Sequence, residues 1–475
     1  MVIASHPKAW SKSIAQPATE FDSTNLSIIS GKIPTDLRGT LYRNGPARLS
    51  RGGKKVGHWF DGDGAVLGIH FTETGATGVY RYVQTQGYQE ETAADAFIYP
   101  NYGMTAAGGF WQNLVKPAKN AANTSVLALE DRVLALWEGG LPHALDLNSL
   151  ATLGTDKLSG LADKQSFSAH PKVDPVTGDI FNFGVSAGLN ATLNLYKCDR
   201  NGQLKQQKNF TLSGLPLVHD FCLAGQYLVF LISPVRIDIA PIFLGQKSFS
   251  EAMQWKPKLG TEILIFERDN LSLVSRGQTD AWYQWHFANG YVDQDGMIVT
   301  EFMRYPDFQT NQYLKEVASG YTETPAKSTL WELKLNPQTG KVIETSQLSN
   351  TAAEFPTVSR HKVGQSWRYT YLSAHRYGVE SGQELFNAIA CFDRQTSNLA
   401  LADLGANCYP CEPILAPGQD NPEQGWLLTV VYDGELDRSE VRIYQSDRLF
   451  EEPVCRLALP SVIPPSFHGT WKQKS

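Results

Sequence analysis

The sequence predicts an all-β fold, either a β-propeller or a large sandwich, and three observations support this prediction. Short runs rich in β-branched and aromatic residues recur along most of the chain, as at Gly78–Val83, Thr329–Leu335 and Trp426–Tyr432. Turn sequences such as Asn201-Gly202 and Asp295-Gly296 separate these runs. The 475 residues include 40 glycines and 25 prolines, a composition typical of many short strands joined by tight turns.

The length of the chain limits how these strands can be arranged. A chain of 475 residues exceeds a usual single hydrophobic core, so it forms either two or three domains or one propeller or barrel. No repeat of fixed period is visible, which argues against a solenoid and against a propeller built from short repeats. Residues 1–20 are polar, and we expect a flexible tail there, followed by a single domain over residues 21–475.

Composition and charge exclude several classes of function. The net charge of −6 gives no indication of a nucleic-acid partner. Six cysteines are too few for a disulfide framework in a chain of this length, and the close pair Cys408 and Cys411 is interpreted as ordinary thiols. The sequence shows neither a secretory signal nor an apolar run of about 18 residues, so we expect a cytoplasmic protein without a membrane-spanning helix.

Two stretches interrupt the β pattern, residues 104–123 and residues 234–255. Both combine bulky apolar residues with lysines, and in the first the apolar residues recur at helical spacing. Such a stretch is either a helix packed on the core or an interfacial patch among lipid headgroups, and the sequence leaves both interpretations open. The residues assigned to the lipid-facing interpretation are Phe110, Leu114, Lys116, Lys119, Ile242, Phe243, Leu244 and Lys247.

Four of the ten histidines share a local setting that indicates a metal site. Each lies between a turn and a strand; His170, for example, precedes the turn Asp174–Gly178 and the strand-like run that follows it. The gaps of 49, 67 and 182 residues between the four fit ligands carried by separate propeller blades rather than a zinc finger, whose ligands are local in sequence. The four residues are His170, His219, His286 and His468.

The chemistry of these side chains is compatible with a divalent metal such as iron. Neutral imidazole is a good ligand for Fe(II), and four imidazoles leave two octahedral positions for dioxygen and water. Because all four ligands are neutral, a buried dication would need carboxylates nearby to offset its charge. A site of two histidines and one carboxylate can also be drawn with Asp61 or Asp220, but no local triplet connects either residue to a distant histidine. His70, His143 and His375 are interpreted as hydrogen-bonded structural residues.

Eight motifs between Leu37 and Trp471 are specific in combination. They are Leu37–Pro46, His58–Gly64, Leu134–His143, Ser168–Asp174, Val218–Phe221, Glu354–Pro356, Cys411–Pro413 and Phe467–Trp471. With these motifs the chain resembles the carotenoid cleavage oxygenases, and more narrowly the apocarotenoid-cleaving members of that family. The resemblance covers nearly the whole chain.

The resemblance implies a fold and an activity. The implied fold is a seven-bladed β-propeller capped by a dome of loops and short helices. It holds one Fe(II) per chain on the propeller axis and uses O2 to cleave a C=C bond of a carotenoid or apocarotenoid into two carbonyl products. The implied iron ligands are His170, His219, His286 and His468. The carboxylates that would accept the other ring N–H of a ligand are Glu138, Glu354 and Glu412, and the methyl group of Thr124 would crowd one open iron position.

Three alternatives stay open. Stilbene-cleaving members of the family bind a phenolate through a lysine directly before the first of these glutamates, whereas this chain has Trp137 there. A retinyl-ester isomerohydrolase is the second alternative, and a non-catalytic propeller scaffold is the third. Because a polyene is nearly insoluble in water, the oxygenase interpretation implies peripheral association with a membrane surface through the apolar patch. The sequence indicates no obligate protein partner.

Overall fold

Strands make up most of the secondary structure of the computed structural model, which describes residues 8–106, 108, 116–419 and 421–474. Helices are few in this part of the chain. The α-helices are α1 (Gln86–Ala94), α2 (Ile239–Phe243) and α3 (Gln309–Val317), and the 3-10 helices span Ala9–Ile14, Trp59–Asp61, Pro257–Leu259 and Arg360–Lys362.

The strands are short and follow one another closely along the chain. Those before residue 260 are β1 (Phe21–Asn25), β2 (Ile28–Gly31), β3 (Gly39–Arg48), β4 (Ser50–Arg51), β5 (Lys54–Lys55), β6 (Asp63–Thr72), β7 (Gly75–Tyr82), β8 (Ser125–Ala128), β9 (Val133–Leu136), β10 (His143–Leu145), β11 (Thr152–Thr155), β12 (Lys172–Val173), β13 (Ile180–Ser186), β14 (Thr192–Cys198), β15 (Leu204–Thr211), β16 (Cys222–Ala224), β17 (Tyr227–Ile232), β18 (Val235–Ile237) and β19 (Met253–Trp255). Those after it are β20 (Thr261–Glu267), β21 (Ser272–Thr279), β22 (Phe287–Val292), β23 (Ile298–Arg304), β24 (Thr329–Leu335), β25 (Val342–Gln347), β26 (Ala353–Thr357), β27 (Tyr369–Ala374), β28 (Ala388–Asp393), β29 (Asn398–Asp403), β30 (Cys408–Pro410), β31 (Ile414–Pro417), β32 (Gly425–Asp433), β33 (Arg438–Gln445), β34 (Cys455–Ala458) and β35 (Gly469–Gln473).

Most strands pair antiparallel with their neighbours in sequence. Three sheets are four-stranded meanders, β8–β11, β12–β15 and β26–β29. An eight-stranded sheet has the order β21-β20-β17-β16-β22-β23-β24-β25, and its two antiparallel halves meet at one parallel pairing, Ala224 with Gly290. The five-stranded sheet β1-β7-β6-β3-β35 combines strands from both ends of the chain, as does a six-stranded sheet that contains β2 and β30–β34. The prediction of an all-β fold is confirmed, and the arrangement is propeller-like.

The core is divided into clusters that lie between neighbouring sheets. In one of them, Phe183 of β13 contacts Phe221 and Phe230 edge to face, which joins the β12–β15 sheet to the eight-stranded sheet. Turn sequences that the sequence predicts are also present: Gly202 and Gly296 have φ values of 78° and 76°, a region that glycine adopts without steric cost. Local turn chemistry and packing between sheets therefore set the strand order together.

The N-terminal segment differs from the prediction of a flexible tail over residues 1–20. Residues 9–14 form a 3-10 helix, and Trp10 is 0% exposed within an apolar cluster that also contains Leu49 and Tyr432. The prediction is wrong for these residues because the burial of one large aromatic side chain outweighs the polar character of its neighbours. Residues 1–7 lie outside the described residues.

The two stretches predicted to interrupt the β pattern are described to different extents. Residues 234–255 contain the paired strands β18 and β19 as well as α2, so the predicted absence of β structure is wrong for their ends. Phe243 and Leu244 at the end of α2 are 52% and 50% exposed. Of residues 104–123, positions 107 and 109–115, including Phe110 and Leu114, lie outside the described part of the chain. None of the helices described is long and apolar enough to cross a bilayer.

Lys119 does not face lipid, contrary to the interpretation of this lysine as part of an interfacial patch. It is 3% exposed, and its Nζ lies 2.5 Å from Asp63 and 2.6 Å from Glu91. Arg51 joins the same network through Asp63 at 2.6 Å. A buried lysine is tolerated here because carboxylates on β6 and α1 surround it.

Replacing Lys119 by Met should destabilise the protein by about 3–5 kcal/mol, because Asp63 and Glu91 would then be buried with less positive charge nearby. Lys116→Met is the matched control, since Lys116 is half-buried and its Nζ donates only to the Ile98 carbonyl at 3.4 Å. Urea unfolding of the two variants measures the difference. Equal stability of Lys119→Met and the parent would show that the network contributes nothing.

Candidate metal centre

The four predicted histidines come from four different antiparallel units of the fold. His170 lies two residues before β12, and His219 lies three residues before β16. His286 and His468 directly precede β22 and β35. The predicted position shortly before a strand is thus present at all four, whereas no turn directly precedes His219 or His468.

The structure brings these four side chains together. The ring of His170 lies with its centroid 4.3 Å from that of His219, 5.2 Å from that of His286 and 4.9 Å from that of His468. The Nε2 atoms of His219 and His286 are 3.3 Å apart. Each histidine is at most 9% exposed, so the cluster is enclosed by protein.

Each of the three predicted glutamates lies beside the Nδ1 atom of a different histidine. Glu354 Oε2 accepts from Nδ1 of His286 at 2.6 Å, and Glu412 Oε1 accepts from Nδ1 of His468 at 2.8 Å. Glu138 Oε1 lies 3.4 Å from Nδ1 of His219. A carboxylate at Nδ1 places the proton on that nitrogen and leaves the Nε2 lone pair free. The pairings of Glu354 with His286 and of Glu412 with His468, which the sequence leaves open, are thereby identified, whereas Glu138 Oε1 lies 3.4 Å from both His219 Nδ1 and His170 Nε2.

His170 is held in a different way. Its backbone N–H donates to Ser168 Oγ at 3.3 Å, and Ser168 and Asn182 exchange hydrogen bonds of 2.6 and 2.9 Å. Among the described residues its buried Nε2 atom has no hydrogen-bond partner, and Glu138 Oε1, also without one there, lies 3.4 Å away. Buried polar atoms are nearly always paired, so these two atoms are expected to face a ligand.

Burial controls the ionisation of the cluster. Desolvation, followed by mutual repulsion among the imidazoles, holds the pKa of His170, His219 and His286 well below its usual value, so their rings are neutral. Burial raises the pKa of Glu354 to about 8. Burial and the nearby Asp220 raise the pKa of Glu138 well above its usual value. A divalent cation among the imidazoles would favour the ionised form of both carboxylates.

The donor set fits a divalent transition metal. Ring nitrogens of His170, His286 and His468 lie within 4.8 Å of one another, and so do ligand atoms of Glu138, His170 and His219. Imidazole nitrogens with carboxylates nearby suit Fe(II) and its neighbours in the periodic table. Asp61 and Asp220 do not belong to either grouping. Their carboxylates accept backbone N–H groups instead, as the Asp61 carboxylate does from His58 at 2.8 Å.

Thr124 borders an enclosed cavity of about 80 Å³ that reaches His219, His286 and His468. Aromatic side chains form most of its wall, and no lysine or arginine of the described residues lines it. The sequence does not indicate this aromatic wall, although three of the residues that form it directly precede or follow a predicted site residue. These three are Trp285, Phe355 and Phe467. A second cavity, of about 750 Å³, also reaches the histidines and has charged residues in its wall, among them Lys172 and Asp220.

His375 lies in the wall of the aromatic cavity, where its ring centroid is 4.8 Å from that of Phe386. The sequence predicted a hydrogen-bonded structural histidine, but its buried Nδ1 atom has no partner. Burial lowers the pKa of His375 to about 4. His375 therefore adds no charge to the cavity wall at neutral pH.

Replacing His375 by Phe should reduce the loss of stability in acid. The folded-state pKa of about 4 lies below the ordinary value of 6.5. The ionisation of this histidine therefore does not change the stability above pH 6.5, and it destabilises the fold as the pH falls toward 4. Between pH 7.5 and 5.5 the free energy of unfolding of the variant should fall by about 1.4 kcal/mol less than that of the parent. This is the free energy linked to the uptake of one proton over one pH unit. Urea unfolding at both pH values tests this, and parallel curves would contradict it.

Comparison with known proteins places the chain in a family. The sequence model of the RPE65 family, described as retinal pigment epithelial membrane protein, matches residues 14–473 of this chain. Apocarotenoid-15,15'-oxygenase from Synechocystis is 33% identical, over 98% of this chain and 96% of the relative. Resveratrol cleavage oxygenase 1 from Aspergillus fumigatus is 26% identical over 95% of this chain and 93% of the relative. The crystal structure of cobalt-substituted Synechocystis ACO aligns with a TM-score of 0.89 at 32% identity, covering 98% of each chain. The chain therefore belongs to the RPE65 family of carotenoid oxygenases.

Proposed function

We propose that the protein is a non-haem Fe(II) dioxygenase that cleaves one C=C bond of a carotenoid or apocarotenoid with O2 and releases two carbonyl products. The observation that carries this proposal is the cluster of four buried histidines, three of them with a carboxylate at Nδ1, beside an aromatic cavity. The apocarotenoid oxygenase named above, similar over nearly its whole length, supports the class of substrate.

The proposed iron ligands are His170, His219, His286 and His468. Bound Fe(II) would supply the activation of O2. The residues of the chain hold the ligands in place: Glu138, Glu354 and Glu412 orient the rings of three histidines and offset the charge of the dication. Thr124, at the border of the cavity, narrows the approach to the cluster from that side.

The aromatic cavity is the proposed binding site for the reacting part of the polyene. Trp285 contacts His219 edge to face at 4.7 Å, and Phe355 lies 5.4 Å from His286 and 5.3 Å from His468, measured between ring centroids. These rings exclude water and hold a flat apolar chain against the histidines. A phenolate would need a cation in the wall, and the absence of lysine and arginine among the described lining residues favours a polyene over a stilbene.

The finer architecture and the location of the protein are also proposals. Counting the eight-stranded sheet as two blades joined at Ala224 and Gly290 would give a seven-bladed propeller, within a single domain over residues 21–475. Helices α1, α2 and α3 and the long loops around them would form the dome. We propose a cytoplasmic protein that binds a membrane peripherally. The exposed Phe243 and Leu244 support this proposal.

A substrate panel tests the activity. The iron-loaded protein is incubated under ¹⁸O2 with intact carotenoids, apocarotenals of several lengths, retinyl esters and stilbenes, and the products are identified by mass spectrometry. We expect two labelled carbonyl products from a carotenoid or apocarotenoid. Cleavage of stilbenes alone, or release of an alcohol from a retinyl ester without O2 uptake, would contradict the proposal. Failure of the protein to bind iron would favour the alternative of a non-catalytic propeller scaffold.

Replacing any one of His170, His219, His286 or His468 by Ala should lower the iron content and abolish turnover, because each ring is proposed to supply one ligand. His361→Ala is the control, since this exposed histidine is not part of the cluster. Iron is measured by elemental analysis of the purified variants. A variant with full iron occupancy and a normal rate would remove that residue from the site.

Replacing Phe243 and Leu244 together by Ser should weaken binding to anionic liposomes and slow cleavage of a substrate dissolved in the membrane. Burying each side chain contributes about 1.5–3 kcal/mol at most. Cleavage of a short, detergent-solubilised substrate should change much less. Val176→Ser with Leu189→Ser is the matched control, because these apolar residues are 76% and 103% exposed elsewhere on the surface. Equal loss on both substrates would show that the two residues serve the fold.

A further inference from the structure

The carboxylate of Asp220 connects three of the four histidine segments. Asp220 directly follows His219, and its Oδ1 accepts from its neighbour Phe221 N at 2.8 Å. Its Oδ2 accepts from the backbone N–H of Phe287, the residue after His286, at 2.9 Å. Its Oδ1 also lies 2.8 Å from Nζ of Lys172, two residues after His170. One side chain that is 1% exposed therefore joins segments from three antiparallel units.

The segment of His170 has the greatest need for such a connection. The rings of His286 and His468 are oriented by glutamates at Nδ1, 2.6 and 2.8 Å away, and His219 has Glu138 3.4 Å from its Nδ1. The ring of His170 makes no hydrogen bond in the described structure, and its position depends on the backbone around it. β12, which follows it, has only two residues and pairs on one side with β13. The ion pair at Lys172 thus ties this short strand to the segments of both His219 and His286 through one carboxylate, beside the ion pair of Asp174 with Arg268, which follows β20.

We infer that Lys172 and Asp220 form a positioning pair that sets His170 against His219 and His286 for metal binding. This inference rests on the proposed function. Neither side chain is assigned as a metal ligand. The pair carries no net charge, so it adds nothing to the charge that the glutamates already provide. Its contribution is to hold the three segments at fixed distances.

A purely electrostatic role makes a different prediction, which allows a direct test. If only charge mattered, Lys172→Met would remove a positive charge and tighten metal binding, whereas Asp220→Asn would remove a negative charge and weaken it. If the pair positions His170, both variants weaken binding, and the double variant is hardly weaker than either single one. Lys172→Arg, which keeps the ion pair, should restore most of the affinity.

The experiment measures Co(II) affinity of the full chain by competition with a chelator, together with the visible absorption spectrum of bound Co(II). We expect Lys172→Met and Asp220→Asn each to weaken Co(II) about tenfold and to alter the spectrum. The matched control is Lys334→Met, because Lys334 of β24 forms an ion pair of 2.7 Å with Asp293 in the turn after β22. Its side chain is 28% exposed, against 20% for Lys172, and Asp293 also accepts backbone N–H groups.

The outcomes distinguish a failure of the positioning role of Lys172 and Asp220 from a failure of the proposed function. Shifts of opposite sign in the two variants, or unchanged affinity and spectrum, would overturn the positioning role. If Asp220→Asn does not fold, Lys172→Met and Lys172→Arg decide the question alone, because Lys172 lies partly exposed at a cavity wall. Failure of the parent protein to bind Co(II) would count against the proposed function instead.

Discussion

The contact between a buried carboxylate and Nδ1 of an imidazole is the interaction on which the centre depends. It occurs as a hydrogen bond at His286 and His468, where it defines which ring nitrogen faces the interior, and Glu138 lies 3.4 Å from Nδ1 of His219. Without these contacts, the neutral rings would be free to adopt either tautomer and to rotate. The carboxylates are costly to bury, as the raised pKa of Glu354 shows, and a divalent cation would offset that cost.

A count of formal charges around the histidine segments agrees with this view. Six buried or half-buried ionisable side chains contact these segments. They are Glu138, Glu354, Glu412, Asp220, Lys172 and Arg43. Four negative and two positive charges leave −2, which one divalent cation would neutralise. The fold thus provides the complement of such an ion without using a charged ligand.

The features that could be predicted from the sequence are those that local chemistry specifies. Strands such as β24 and turns such as that at Gly202 follow from residue type, and the histidines share a recognisable position before a strand. The assignment of Glu138 to His219 required tertiary structure, because the two lie 81 residues apart and on different sheets. Lys119 was misassigned for the same reason, since its partners Asp63 and Glu91 are distant in sequence and the lysine alone resembles a surface residue.

The pairing of β3 with β35 has a consequence for the order in which the protein is made. His468 immediately precedes β35, and Arg43 of β3 donates to the carbonyls of Phe467 and Glu412 at 2.9 and 2.6 Å. A ribosome releases His468 after every other site residue, so a nascent chain has three of the histidines and an unpaired β3 edge until β35 has been made. Assembly of the complete donor set therefore coincides with the pairing of β3 and β35, and the growing chain has no four-histidine site before that moment.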